Sequence, residues 1–234
     1  MYGNWKYDEF HQVGKDYADS AEAALYDESH AKFRDVEAEN CRLIELLGLR
    51  PRSRVLEIGV GTGSFALQAA AIGAEVIGFD VSEAMLDQAR AKAVRQNANN
   101  VAFRSGGFLE LEKNVGLGEW DVVVSNLVLH HLPDFWKGEA LRSIRGVLRL
   151  GGVLLLRDVV IEQAGDPVAA IDRFVEAQAA VGGDFLRADA EGHFREEFST
   201  YDWILEGLLT RAGFVIESRE FQHGLFGEYL CCAR

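Results

Sequence analysis

Cysteine is scarce: three in 234 residues, Cys41, Cys231 and Cys232. Their spacing offers neither a disulfide framework nor a paired metal-ligand set. Adjacent Cys231 and Cys232 on a strand point to opposite faces, so both read as core residues, and no metal site is expected. Long apolar runs are also missing. Runs such as Val153 to Leu156 fall far short of the ~20 residues that cross a bilayer. The first residues mix Trp5, Lys6, Asp8, Glu9 and His11 without the apolar core of a leader peptide, so a soluble, cytoplasmic protein with no membrane partner is expected. Cations are outnumbered, 24 Lys and Arg against 37 Asp and Glu, for a formal net charge of -13. That balance opposes attraction to phosphate backbones, and nucleic acid is not an expected partner.

Hydrophobic residues make up 48% of the chain, which suits one α/β unit with a sizeable core. Phe33, Val36, Leu43 and Leu47 recur near helical spacing and predict a helix over residues 29–47, stopped by Gly48 and Pro51. Short β-rich and helical stretches then alternate. Strands are expected at 54–58, 75–80, 101–104, 121–127 and 153–158. Helices are expected after Gly63, from Ser82 toward Asn97, and from Asp134 toward Leu150, the last ended by Gly151 and Gly152. This βαβ series predicts a parallel sheet. Beyond it, residues 166–181 and 200–212 read as helices joined by a Gly-rich, charged connection. Residues 213–222 and 228–233 read as a terminal hairpin.

The segment Val55-Leu56-Glu57-Ile58-Gly59-Val60-Gly61-Thr62-Gly63 is a hydrophobic strand ending in alternate glycines, which lets a ligand lie against bare backbone. A dinucleotide loop would place its third glycine one residue later, where Ser64 stands, so a pyrophosphate is disfavoured. Asp80 ends the next strand, about 20 residues after the glycines, where a carboxylate accepts from a ribose diol. A nucleoside without a pyrophosphate is implied.

With these residues the chain resembles the class I S-adenosylmethionine-dependent methyltransferases of the small-molecule kind that includes the ubiquinone and menaquinone methyltransferases. Glu57, Gly59, Gly61 and Gly63 match the first motif and Asp80 the second. The segment Trp120 to Asp134, with Ser125-Asn126-Leu127 and His130-His131-Leu132-Pro133, resembles the fourth-strand motif. Leu148 to Leu154 resembles the turn that follows. The match spans roughly residues 53–158. It implies a doubly wound, mostly parallel seven-stranded sheet with an antiparallel C-terminal hairpin and a helical lid insertion. One methyltransferase domain, 1–234, would comprise an N-terminal helical cover (1–50), a cofactor-binding core (51–161), a lid (162–200) and the last helix with the hairpin (201–234).

The resemblance further implies S-adenosylmethionine as cofactor and a small-molecule acceptor. Glu57 would support the loop or the cofactor ammonium, and Asp80, followed by Val81, would take the ribose hydroxyls. Gly107 and Phe108 would flank the adenine, although Ser105-Gly106-Gly107 departs from the acidic residue common there. Arg34, in a stretch with Tyr7, Tyr17, Tyr26, His30 and Phe33, is a candidate for the methionine carboxylate. Asn126 and His131 are the candidate catalytic residues; on an extended backbone only one of His130 and His131 would face the pocket. Ser125-Asn126-Leu127-Val128 is not the Asn-Pro-Pro-aromatic pattern of base amino methylation. Two other classes share these residues: a cofactor-binding regulator without catalysis, and a nicotinamide-dependent oxidoreductase, which the glycine spacing disfavours.

Overall fold

The computed structural model describes residues 5–11, 23, 27 and 35–234. Asp35 accepts from Ala38 N at 3.0 Å and caps helix α1 (Val36–Leu46). The upstream part of the predicted first helix, with Arg34, lies outside the described residues. Strand β1 (Arg54–Ile58), α2 (Ser64–Ala71), β2 (Glu75–Asp80), α3 (Glu83–Gln96) and β3 (Val101–Ser105) follow. A short α4 (Leu111–Asn114) leads to β4 (Trp120–Asn126), a 3-10 turn (Leu129–His131), α5 (Asp134–Val147) and β5 (Leu148–Ile161). The chain ends in α6 (Pro167–Glu196), β6 (Thr200–Tyr201), α7 (Asp202–Ala212), β7 (Phe214–Gln222) and β8 (Phe226–Ala233).

The strands order as β3-β2-β1-β4-β5-β8-β7, with β6 beside β5. The first five on this path pair in parallel, and β8 runs antiparallel between β5 and β7, as the predicted hairpin requires. Alternation of side chains builds two cores. Leu56, Ile58, Val123, Leu154 and Leu156 pack on one face with Leu141 and Ile144 of α5. Val55, Val76, Val122, Val124 and Leu155 pack on the other with Phe65, Ala66 and Ala69 of α2. The strand order reverses between β1 and β4, which opens a crevice at their carboxyl ends.

Two local expectations are corrected. The helix from Asp134 ends at Val147, and Gly151 and Gly152 lie within β5. Leu148 is buried and pairs with Trp120, and a Cβ on Gly152 would sit 3.0 Å from the Trp120 carbonyl oxygen, so close backbone approach explains this glycine. The predicted connection after residue 181 is instead helical: α6 continues to Glu196 across a kink at Gly182 and Gly183. Leu186 packs over Gly182, and Arg187 clamps Glu176 through two hydrogen bonds of 2.7 and 2.8 Å, so the chain refolds into helix after the kink. None of the described helices is long and apolar enough to cross a membrane.

Candidate active site

The three loop glycines all have left-handed φ, +72° at Gly59, +53° at Gly61 and +82° at Gly63, where a Cβ is strained. Their surroundings differ. A Cβ on Gly59 would meet Val128 at 2.2 Å, and one on Gly63 would meet Ala89 and Phe103 at 3.0 and 3.1 Å, so both permit packing. A Cβ on Gly61 would meet nothing within 4 Å, because this residue faces a cavity of about 1340 Å³. That volume exceeds the roughly 300–1,000 Å³ of a single small-ligand pocket and leaves room for two molecules.

Asp80 ends β2 beside the loop. Its Oδ2 accepts from Gly61 N at 2.8 Å and its Oδ1 from Ser82 N at 2.9 Å. Ser82 Oγ in turn caps α3 by accepting from Met85 N. Burial raises the Asp80 pKa against these amides. Glu57, on β1, is more deeply buried: desolvation, with Asp80 nearby, pushes its carboxyl well above the usual range. One carboxylate oxygen is supported by the Ala66 amide, while Oε2 is buried with no hydrogen-bond partner, on a residue that lines the cavity. An unpartnered buried oxygen of this kind is costly and marks a place for a cationic or donor group. Val81, Gly107, Phe108 and Asn126 line the same cavity.

Beyond β3 a distant carboxylate, Glu9, reaches the segment that lacks an acidic residue of its own. A Cβ on Gly107 would collide with the Glu9 carboxylate at 2.3 Å, and Glu9 accepts from Phe108 N at 2.8 Å and Leu109 N at 3.0 Å. Desolvation raises its pKa despite these bonds. No local motif signals this pairing, because the partners are 99 residues apart.

At the end of β4 the chain turns sharply, with Leu127 at φ +61°. Asn126 Oδ1 is buried without a partner. His130 and His131 both line the cavity, their rings 4.4 Å apart, contrary to the divergence expected of an extended backbone. They lie on a 3-10 turn, whose side chains advance by about 120° per residue rather than alternating. The Tyr7 hydroxyl donates to the His131 carbonyl at 3.1 Å.

Around these histidines stand three residues that the sequence reading passed over as site residues. Asp158 Oδ1 contacts His130 Nδ1, and Glu197 Oε2 lies 3.3 Å from His130 Nε2 and 2.5 Å from His193 Nδ1. Burial alone would depress His130, but the Asp158 carboxylate outweighs it and raises the imidazole pKa. His131 is pushed down to about 4 by desolvation and by His130, so its ring is neutral near pH 7. Two signals were legible: a carboxylate inside the apolar run of β5, and His193 and Glu197 at i, i+4 spacing.

A glycine-cradled crevice with a strand-end carboxylate, on this strand order, defines a nucleoside-binding α/β enzyme. The family profile described as "Methyltransferase domain" matches residues 49–212. A protein of Geobacillus thermodenitrificans described as "Uncharacterized methyltransferase" is 30% identical over 209 residues, 89% of this chain and 88% of that one. The 27-O-demethylrifamycin SV methyltransferase of Amycolatopsis mediterranei is 29% identical over 225 residues, covering 86% and 78%. In fold, a SAM-dependent methyltransferase from Aquifex aeolicus superposes with a TM-score of 0.62 at 16% identity, covering 92% and 99%. The chain belongs to the methyltransferase family. The methyl donor of such a site is S-adenosylmethionine.

Proposed function

We propose that the chain transfers the methyl group of S-adenosylmethionine to a small-molecule acceptor within this cavity. The observation that carries the reading is one wall holding the bare backbone of Gly61, the unpartnered Glu57 Oε2, and Asn126 and His131. The donor set fits the cofactor: Glu57 meets the ammonium, Asp80 and Val81 the ribose side, and Gly107 and Phe108, with Glu9, the adenine side. Gly59 and Gly63 hold the loop in shape. Arg34 is assigned to the methionine carboxylate from its sequence position alone.

S-adenosylmethionine supplies a methyl group already activated on a sulfonium, so positioning provides most of the catalysis. Asn126 Oδ1, buried without a partner, accepts a hydrogen of the acceptor, and His131 beside it on the cavity wall holds the attacking atom in place. The described parts of segments 1–50 and 162–200 cover the site and exclude water. Glu9 on the adenine side, Asp27 hydrogen-bonded to Thr62 at 2.6 Å, and Phe174 and Phe194 on the cavity wall support this role. The negative overall charge supports a small acceptor over nucleic acid. Incubation with isotopically labelled cofactor and a metabolite panel tests the proposal. Label in a small molecule is the expected result; tight cofactor binding with no transfer to any acceptor would favour the regulator.

A further inference from the structure

The cluster at the acceptor end of the cavity has an arrangement that hydrogen bonding does not satisfy. Ligand atoms of His130, His131 and Glu197, one from each, all lie within 4.8 Å of one another, and no other group of three such ligands occurs among the described residues. The Glu197 side chain is only 6% exposed. Its Oε2 lies within ion-pair reach of two imidazole nitrogens, His193 Nδ1 at 2.5 Å and His130 Nε2 at 3.3 Å, while His131 Nδ1 is buried without a partner. Lone pairs thus converge on one point from the 3-10 turn and from the end of α6.

We propose that His130, His131 and Glu197 bind a divalent first-row transition ion, zinc foremost. Two imidazoles and one carboxylate are a sufficient protein ligand set for zinc, leaving a further position for water or substrate. Ligand atoms on a tetrahedral ion at bonds of about 2.1 Å lie about 3.4 Å apart, so the widest pair must close by up to about 1.4 Å. That is a rotamer-scale adjustment. The surroundings suit an ion as well. Asp158 holds His130 by Nδ1 and leaves Nε2 for a metal, the carboxylate-histidine support common behind metal ligands. His193, fixed through Nε2 by Ser199 Oγ at 2.8 Å, positions Glu197.

The ion would fasten the end of α6 to the turn after β4, and its open position would face the cavity. Resting on the methyltransfer reading, that position would take an oxygen of the acceptor, a hydroxyl, phenol or carboxylate. Ion binding itself does not depend on that reading.

The test uses the full chain, stripped with a chelator and titrated with zinc and, separately, with cobalt as a spectroscopic probe. One ion per chain is expected, with cobalt d–d absorption of a nitrogen- and oxygen-liganded, low-coordinate site and a metal-dependent rise in melting temperature. Glu197→Gln and His131→Gln should each weaken binding at least about 100-fold, and Asp158→Asn about 10- to 100-fold. Glu176→Gln, exposed on the first half of α6, should leave it unchanged. Absence of stoichiometric binding by the unmodified protein would overturn the proposal, leaving the lone pairs to a shared proton. Binding that survives both ligand substitutions would overturn it too, by locating the ion elsewhere. Cofactor affinity measured in parallel separates this failure from failure of the methyltransfer reading.

Discussion

Alanine at Gly59 and at Gly61 should produce opposite phenotypes, although the two glycines share a motif and a left-handed φ. Either substitution carries the left-handed cost of an L-residue, about 1–2 kcal/mol. At Gly59 the new methyl also falls 2.2 Å from Val128 Cγ2, within a packed wall, which adds about 1–3 kcal/mol of overpacking. Gly59→Ala should therefore lose about 2–5 kcal/mol of stability. Gly61→Ala meets no protein atom and should lose only the left-handed cost, but its methyl projects into the cavity and should weaken S-adenosylmethionine at least tenfold, about 1.4 kcal/mol. Urea unfolding without cofactor, read at constant m-value, and calorimetric titration separate the two. A double-mutant cycle sharpens the test: Val128→Ala makes room for the Gly59→Ala methyl, so the pair should couple favourably by about 1–3 kcal/mol. Equal destabilisation by both alanines, or strictly additive Gly59 and Val128 effects, would refute the division of roles.

Asp80→Ala should weaken the cofactor by about 1.5–3 kcal/mol and also cost stability, because it strips partners from Gly61 N and Ser82 N; an effect on binding alone would show that the loop holds without it. Glu57 has a folded pKa above its unfolded value, so its contribution to stability is present at low pH and lost as pH rises through the folded value. Glu57→Gln should weaken cofactor binding, because it removes the carboxylate from the ammonium, and unchanged affinity on calorimetric titration would contradict that contact. His131→Asn should lower turnover with cofactor affinity within about twofold of the parent, since it leaves the nucleotide wall intact, whereas an unimpaired variant would remove His131 from the acceptor site. Hydrogen exchange in residues 184–196 should slow when cofactor and acceptor are added, and unchanged exchange would reduce this helix to a packing layer.

Much of the cofactor wall was legible because its requirements are local. Glycines at alternate positions after an apolar strand, and a carboxylate ending the next strand, follow from the geometry of a βα turn. Asp80, Glu57 and Asn126 accordingly stand on the cavity wall. Features set by long-range approach were not legible. Gly152 looked like a helix stop but serves contact with the Trp120 carbonyl, and Gly182 and Gly183 looked like a loop but kink a helix. Glu9 brings a carboxylate to the amides of Phe108 and Leu109 after β3 across 99 positions of sequence. His193 and Glu197, at the end of α6, and Asp158, on β5, meet His130 only in the folded chain, and the turn that lets both histidines line the cavity follows Leu127 at positive φ, a conformation rare for leucine.

In the proposed reaction one cavity orients the methyl donor toward Asn126 and His131. A crystal structure with S-adenosylhomocysteine tests it directly. The expected result places the adenine beside Gly107 and Phe108, the ribose beside Asp80, the homocysteine ammonium at Glu57 Oε2, and the sulfur turned toward Asn126 and His131. A ligand bound outside this cavity, or one lying with its adenine against Glu57 and its sulfur away from β4, would contradict it.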